Sequence, residues 1–276
     1  MILLASVAST AMGALTKAAH DHVDTANIVL WRSLIVAAVA YGLVRRQRLP
    51  LRAGSPGLML WRSLIGVCAM VCFFWSLSRI PLGTATTLIY THPLFTVTLA
   101  GPLLGERPRR AAYVLAALAF GGVLLVVRPG SVPVTWGSVA ALSAGLMAAL
   151  AYLSVRKLRA TDPPARIVFW FSLISAAVVA PFAVAAGLPT GAEAWLLLGG
   201  IGVAATGAQM GMTWAYRVER AEIVGPFSYA TIVLSYLVGL VVWDEVIDLW
   251  AGAGVALVVA AGAALSRYAA ASSSGD

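Results

Sequence analysis

Two stretches of this chain, IVLWRSLIVAAV at residues 28–39 and IVFWFSLISAAV at residues 167–178, are near copies of one another. Apolar matches arise easily in a chain that is mostly apolar, so the shared tryptophan and the common spacing of 139 residues carry the comparison. The same spacing relates Lys17 to Arg156, Trp75 to Trp214, Tyr90 to Tyr229 and Glu106 to Glu245. The pattern indicates the duplication of one module, and duplicated membrane modules are typical of alternating-access transporters.

The composition indicates that lipid surrounds most of the chain. Of its 276 residues, 61% are hydrophobic and only 11% are charged, too few for an ordinary water-facing surface. Apolar segments near the roughly 20 residues that span a bilayer lie between the charge clusters. Ten are predicted, at residues 2–17, 26–44, 58–77, 84–103, 111–127, 136–155, 165–185, 195–214, 223–242 and 249–266. They lack the alternating polarity of a membrane barrel, so we expect ten helices, with connections too short for a soluble ATPase or nucleic-acid-binding domain.

The net charge of +8 is distributed unevenly across the predicted membrane. Fourteen Lys and Arg residues fall in the even-numbered connections and the C-terminal tail, against three in the odd-numbered connections. The positive-inside rule therefore places both termini in the cytoplasm. Because five helices per copy is an odd number, the second copy must cross the membrane in the opposite direction. We therefore expect an all-α membrane protein of two inverted five-helix repeats, residues 1–130 and 131–276, around a central cavity.

The apolar N-terminal stretch and the two cysteines of the first half both have simple structural interpretations. The apolar stretch from Leu3 to Ala14 is similar to a secretory signal, but it lacks a basic leader and is in register with the sixth segment, so we interpret it as a helix. Cys68 and Cys72 lie one helical turn apart, where their side chains run parallel. A disulfide is therefore unfavourable, and two thiols alone are a poor metal site.

Several short motifs together resemble a known family. They are Lys17 at the end of the first segment, Arg32 early in the second, Ser78-Arg79-Ile80-Pro81, Pro93-Leu94-Phe95, Leu104-Gly105-Glu106-Arg107, Gly121-Gly122, Pro226-Phe227-Ser228-Tyr229 and Asp244-Glu245. Over essentially the whole chain this set is similar to the EamA-type modules of the drug/metabolite transporter superfamily, and within it to bacterial exporters of aromatic amino acids. The resemblance implies the fold strongly and the substrate weakly.

Polar stripes on three predicted helices suggest a wet interior. In the eighth, Gln209 and Thr213 share a face, while Gly207 and Gly211 form a GxxxG on the neighbouring face, where another helix can pack closely. The remaining stripe residues are Thr206, Tyr216, Ser228, Thr231, Ser235, Thr84, Thr87, Thr91 and Thr98. The alternative is that these hydroxyls bond back to their own helix, as serine and threonine commonly do.

His92 lies near the middle of the fourth segment, where an ionisable group is costly and usually functional. The simpler interpretation is a neutral histidine bonded to a neighbouring helix. Tyr90 is two residues away, so in a straight helix the two side chains point about 200° apart and cannot face one cavity. Only a break at Pro93 would bring them together.

Trp75 and Trp214 lie near helix ends, where tryptophan commonly anchors a protein at the membrane surface. The alternative is that they close the two ends of an aromatic vestibule. Arg32 is interpreted as structural, either reaching outward or bonding helix carbonyls. The candidate substrate-binding residues are Trp75, Tyr90, His92, Gln209, Thr213, Trp214, Ser228 and Tyr229.

These observations predict a carrier in the bacterial inner membrane that exports small amphipathic metabolites, with aromatic amino acids as the favoured substrates. A broad exporter of drugs or organic cations is the alternative, since aromatic faces attract cations. An intramembrane enzyme is disfavoured because the chain has no HExxH or GxSxG motif, and we expect no catalytic residues, cofactor or resident metal. The expected partners are the lipid bilayer and a small-molecule substrate, not nucleic acid, and the oligomeric state stays open. Transport is expected to be facilitated, because no acidic residue lies in a helix interior and no phosphate-binding GxxxxGK[ST] loop occurs.

The charge bias makes a direct prediction about topology. Cysteines introduced at Ser55 and Ser272 should react with an impermeant thiol reagent only from the cytoplasm, and a cysteine at Gly191 only from outside. The experiment should use a background without Cys68 and Cys72. Labelling of the Ser55 and Gly191 positions from the same side would contradict the inverted arrangement.

Overall fold

A computed structural model describes residues 2–104, 110–127, 134–158, 160–218, 230–246 and 248–273. Within these ranges the regular structure is entirely helical. The helices are α1 (Ile2–Ala19), α2 (Thr25–Arg46), α3 (Pro56–Leu77), α4 (Leu82–Ile89), α5 (His92–Leu104), α6 (Arg110–Val127), α7 (Trp136–Leu158), α8 (Pro164–Ala186), α9 (Ala192–Val218), α10 (Ala230–Trp243) and α11 (Leu249–Ser273).

The prediction of an all-helical membrane protein is confirmed. By length and composition, α2, α3, α7, α8 and residues 192–211 of α9 are apolar enough to cross a bilayer. Each predicted segment corresponds to a helix, except that the fourth is divided into α4 and α5 and that residues 223–229 of the ninth lie outside the described residues. The division of the fourth segment has consequences for the candidate site.

The duplication read from the sequence is visible in the helix boundaries and in the packing. Thr25 and Pro164, which begin α2 and α8, are 139 positions apart, as are Arg110 and Leu249, which begin α6 and α11. The main helix contacts follow the same duplication. Two of them join counterpart helices, α2 with α8 and α6 with α11, and the contact of α1 with α9 in one direction corresponds to that of α7 with α3 in the other. The two halves are therefore packed in a two-fold manner, with α2 against α8 between them.

Counterpart residues at the beginnings of α2 and α8 make the same kind of bond. Asn27 donates from its side-chain nitrogen to the carbonyl of Gly187 at 2.9 Å, in the connection between α8 and α9. Arg166, its counterpart in the second half, donates to the carbonyl of Arg52 at 2.9 Å, in the connection between α2 and α3. Each half thus binds a connection of the other through a buried polar side chain.

Connections that the charge pattern assigns to one side of the membrane contact one another. Lys17, after α1, forms an ion pair with Glu245, before α11. Asp162, before α8, accepts a hydrogen bond from the backbone N–H of Gly54 at 3.0 Å, before α3. The first contact joins two odd-numbered connections, and the second joins two even-numbered connections. This is the arrangement that helices crossing the membrane alternately require, while the orientation of the termini stays a prediction.

Asp162 keeps its charge at this junction although its side chain is fully buried. Burial acts to raise the pKa of its carboxyl, but the Gly54 N–H, the Thr161 hydroxyl and the Arg166 guanidinium together outweigh burial and hold the pKa below its usual value. Arg166 lies 3.1 Å from the carboxylate, one helical turn away. The junction between the two connections therefore contains an ionised Asp162 paired with Arg166 at neutral pH.

Close backbone contact joins α6 to α11. A Cβ atom built at Gly122 would lie 2.7 Å from the carbonyl oxygen of Gly254, and one built at Gly254 would lie 2.6 Å from the carbonyl oxygen of Gly122. Backbone atoms of packed helices cannot move aside as side chains can. Small residues at a membrane helix interface permit this approach, which gives van der Waals packing where lipid supplies no hydrophobic force.

The Gly122→Ala substitution should therefore lower the stability of the protein. The added methyl group would separate α6 from α11, at an expected cost of about 1–3 kcal/mol. Gly42→Ala is the matched control, because a Cβ at Gly42 has nothing within 4 Å. The midpoints of thermal unfolding in detergent should fall for the first variant and stay unchanged or rise slightly for the second. Equal midpoints would contradict the close contact.

Candidate functional site

The fourth predicted segment is interrupted where its ionisable residue lies. The α4 helix ends at Ile89 and α5 begins at His92, so that Pro93 occupies the first turn of a new helix, where its missing N–H costs nothing. Gly145 of α7 lies against this break: a Cβ there would lie 2.9 Å from the carbonyl oxygen of Leu88. The break is thus held by close packing of α7.

The break brings together side chains that a straight helix would separate. The ring centres of Tyr90 and His92 are 5.6 Å apart, and His92 is 4.9 Å from the ring of Tyr152 on α7. The expectation that Tyr90 and His92 could share one site only through a break beside Pro93 agrees with this geometry. Tyr152 is 43% exposed despite its neighbours on other helices. We call Tyr90, His92 and Tyr152 the aromatic cluster.

Two arginines lie beside this cluster, Arg32 on α2 and Arg62 on α3. The Arg62 guanidinium carbon lies 3.8 Å above the ring centre of Phe171 on α8, and that of Arg32 lies 6.0 Å from the same centre. Tyr152 on α7 lies within electrostatic range of both guanidinium groups. We call Arg32 and Arg62 the arginine pair; Phe171 is the ring that both approach.

Arg32 is buried and Arg62 is half-buried, and two nitrogen atoms of each have no hydrogen-bond partner. Arg32 is only 5% exposed, and the Nε and Nη1 atoms of both arginines are buried and unbonded. Arg32 lies seven residues after the start of α2 and Arg62 six after the start of α3, about 10 Å and 9 Å along their helices. The interpretation of Arg32 as a residue that reaches outward or bonds helix carbonyls is therefore wrong for these atoms.

The structure separates Trp75 from this group of residues. Trp75 lies close to the end of α3, half-buried, with the Arg79 guanidinium stacked 3.8 Å above its ring. This position fits an anchor at the membrane surface better than a wall of the site. Gln209 is half-buried on α9. Ser228 and Tyr229 lie outside the described residues, as do the side chains of Thr213 and Trp214.

The polar stripes have the simpler of their two interpretations wherever their bonds are described. Thr87 donates to Gly83 at 2.9 Å, and Thr206 donates to Gly202 at 2.8 Å. Thr91 and Thr98 also donate to carbonyls of their own turns. These four hydroxyls therefore use their donor within their own segment. Thr231 is different, because its Oγ1 is buried with no hydrogen-bond partner.

The GxxxG of the eighth segment packs as expected. A Cβ at Gly211 would lie 2.8 Å from the Cβ of Ala5, and one at Gly207 would lie 3.5 Å from the Cβ of Ala8. This face of α9 therefore lies against α1, with small residues on both sides. The interface positions α9 without using polar groups.

Sequence reasoning did not single out Arg62 or Tyr152, and its expectation that Arg32 bonds helix carbonyls does not hold for Nε and Nη1. One signal was available: in the repeat frame Arg32 stands opposite Phe171, so a charged residue faces an apolar one within the best-matched stretch. The structure shows that these counterparts are also neighbours in space. Arg62 and Tyr152 carry no such mark, because their neighbours come from distant helices.

A second polar group lies at the other end of the bundle. Glu245 forms an ion pair with Lys17 and accepts a hydrogen bond from the backbone N–H of Leu82, which begins α4, at 3.0 Å. Lys17 also approaches the Ile80 carbonyl at 3.4 Å and lies 5.3 Å from the centre of the Trp243 ring. We call Lys17, Glu245 and the Leu82 N–H the clasp. It joins the two halves of the chain.

In the part of the chain that the structure describes, no three His, Cys, Asp or Glu side chains are grouped as metal ligands would be. Cys68 and Cys72 are free thiols, Cys68 exposed and Cys72 half-buried. The prediction that they form no disulfide therefore agrees with the structure.

Comparison with known proteins assigns the chain to a family. A family model described as the EamA-like transporter family matches it twice, at residues 1–128 and 135–267. The pseudopaline exporter of Pseudomonas aeruginosa is 34% identical over 97% of this chain and 95% of its own length. The riboflavin transporter of Vibrio cholerae is 29% identical, over 84% of this chain and 79% of its own.

A solved crystal structure superposes with a TM-score of 0.68 and covers 97% of this chain and 96% of its own, at 22% identity, which supports the fold. An uncharacterized transporter of Helicobacter pylori is 30% identical over 95% of this chain and 92% of its own. The duplicated helical architecture and these matches lead to one conclusion: the chain belongs to the EamA-like transporter family, and is a multi-pass membrane transporter of the drug/metabolite type.

Proposed function

We propose that this transporter exports small amphipathic metabolites, with aromatic amino acids as the first substrate class to test. The observation that carries the proposal is the aromatic cluster at the break between α4 and α5. The ring centre of His92 lies 5.6 Å from that of Tyr90 and 4.9 Å from that of Tyr152. Stacked rings favour a flat aromatic substrate, and the imidazole can hydrogen-bond its polar groups. The family supports transport over catalysis as the role of this site.

The mechanism that we propose is alternating access between two inverted five-helix repeats, residues 1–130 and 131–276, around a central cavity. The two-fold pattern of helix contacts and the same-side contacts of the connections support this arrangement. We further propose an inner-membrane location with both termini in the cytoplasm, based on the distribution of Lys and Arg.

A second candidate substrate comes from the relatives. The 34% identity to the pseudopaline exporter extends over nearly the full length of both chains, so the substrate named for that protein belongs in any test panel. The alternative of a broad exporter of organic cations is less favoured. Two buried guanidinium groups beside the aromatic cluster would repel a cationic substrate.

We propose that the clasp closes the outer end of the transport pathway. Glu245 lies between the two halves and binds a side chain and a backbone group of the first half together. Gly239 makes room for it, because a Cβ there would lie 3.1 Å from the Glu245 carboxyl carbon. An ion pair of two half-buried side chains can open and close at modest cost, as a gate must.

Transport is proposed to be facilitated and driven by the substrate gradient. A proton-coupled carrier commonly has a carboxylate within the membrane. In the described ranges the ion-paired carboxylates lie in connections, as Asp162 and Glu245 do, or in the first turn of a helix, as Glu193 does in α9. His92 is accordingly assigned a binding role. Its neighbours in the aromatic cluster are tyrosines.

Uptake by purified protein in liposomes tests the proposal. Radiolabelled aromatic amino acids should enter saturably and equilibrate to the same level with and without an imposed pH gradient, while sugars and organic cations should not enter. Pseudopaline is tested in the same panel. Accumulation above equilibrium that a protonophore abolishes would overturn the facilitated mechanism, and uptake of organic cations alone would overturn the substrate class.

The clasp is tested by a double-mutant cycle. Glu245→Ala should destabilise by about 2 kcal/mol, because it leaves the Leu82 N–H and the Lys17 ammonium without their acceptor. Lys17→Met should cost less, and the double variant should cost less than the two single costs combined. Thermal unfolding in detergent gives these energies. His22 and Glu193, an exposed pair 3.5 Å apart, are the control and should show no coupling. Additive effects at the clasp would contradict the ion pair.

A further inference from the structure

We propose that Arg32 and Arg62 form the subsite that binds the carboxylate group of the transported metabolite. This proposal rests on the proposed function, since it names the chemistry by which the same site takes its substrate. It starts from two like charges placed near one ring, within 3.8 Å and 6.0 Å of the centre of Phe171, with Nε and Nη1 of each buried and unbonded.

Electrostatics makes such a pair unfavourable by itself. Burying a charge is costly unless it is paired, and two nearby cations in a region of low dielectric also repel one another. Among the described residues, the ion-paired acids bind Lys17, His22 and Arg166, and none binds Arg32 or Arg62. An arrangement that costs stability and is kept within a binding site is usually kept for a ligand. The ligand that removes both costs at once is an anion.

The geometry favours a carboxylate over a simple point charge. Phe171 supports the Arg62 guanidinium, so that the planar group has few orientations left. Gly66 makes this stacking possible, because a Cβ there would lie 2.7 Å from the Phe171 ring and 3.2 Å from Nη1 of Arg62. A guanidinium held in one plane presents its N–H groups as a fork, which matches the two oxygens of a carboxylate.

The neighbours of the arginines extend the site in one direction. Tyr152 lies within electrostatic range of both arginines, and its ring centre is 4.9 Å from that of His92. The ring of Tyr90 lies 5.6 Å from that of His92, so the aromatic cluster adjoins the arginines through Tyr152. A metabolite with its carboxylate on the arginine pair would therefore place its ring against the aromatic cluster. This arrangement defines the substrate class as aromatic or other flat carboxylates.

The proposal predicts opposite effects on stability and on binding. If the arginines were structural, Arg32→Gln and Arg62→Gln would lower the unfolding midpoint. If the arginines instead form a ligand subsite, each glutamine variant should unfold without ligand at the same or a higher midpoint than the unsubstituted protein. The reason is that the substitution removes a buried unpaired charge. Arg79→Gln is the matched control: Arg79 also stacks 3.8 Å above a ring, that of Trp75, but is exposed.

The probes are 3-phenylpropanoate, which has a ring and a carboxylate, and phenethylamine, which has the ring and an ammonium. In purified protein, 3-phenylpropanoate should raise the unfolding midpoint and phenethylamine should not. The apparent affinity for 3-phenylpropanoate should weaken about tenfold or more in Arg32→Gln and Arg62→Gln. It should partly recover in Arg62→Lys and stay unchanged in Arg79→Gln.

Three outcomes would overturn the proposal. They are equal stabilisation by phenethylamine, undiminished binding of 3-phenylpropanoate by both glutamine variants, and equal stabilisation by chloride or phosphate at the same concentration, which would indicate a site for inorganic anions. The proposed function fails separately. If the carboxylate binds as expected but no aromatic amino acid is transported into liposomes, the subsite stands and the substrate assignment is wrong.

Discussion

The packing of α2 against α8 is the contact on which the rest of this structure depends. The two helices are repeat counterparts, and through them each half of the chain binds a connection of the other, by Asn27 to Gly187 and by Arg166 to Arg52. Because counterparts meet here, a residue of α2 can lie beside its own partner in the repeat, as Arg32 lies beside Phe171. The candidate site is therefore at the junction of the two halves, where their relative motion would alter it most.

Because lipid surrounds these helices, a buried polar group without a hydrogen-bond partner is a candidate for a functional role. Since hydrocarbon offers no hydrogen bonds, most polar side chains in these helices satisfy themselves, as the threonines of α4 and α9 do by donating to their own turns. The buried groups that remain without partners are then the exceptions. Arg32 and Arg62 are the most costly of these, because they carry charge. Their position beside the aromatic cluster is the basis of the proposal that they bind a carboxylate.

The two halves share a fold but differ where the chemistry lies. At the contact between α2 and α8, one copy has Arg32 and the other has Phe171, and the two residues interact across the junction. The clasp is similarly built from unlike parts, an ammonium of the first half and a carboxylate of the second. Duplication thus supplies the scaffold, and divergence at matched positions supplies an asymmetric site. The proposed substrate, charged at one end and flat at the other, would match such a site.

Hydrophobic length, the repeat spacing and the charge bias are local properties of the chain, so the sequence alone determined the helical segments, their duplication and the family. It also proposed Tyr90 and His92 as candidate site residues, through the rarity of an ionisable group in lipid and the effect of Pro93 on a helix. The partners of these residues were decided only by the tertiary structure. Tyr152, Arg62 and Phe171 come from three other helices, and no spacing along the chain encodes which side chains meet when those helices pack. For the same reason the sequence left two interpretations open for Trp75 and for the threonine stripes. The neighbours that favour one of them, Arg79 at Trp75 and the Gly83 carbonyl at Thr87, appear only in the structure.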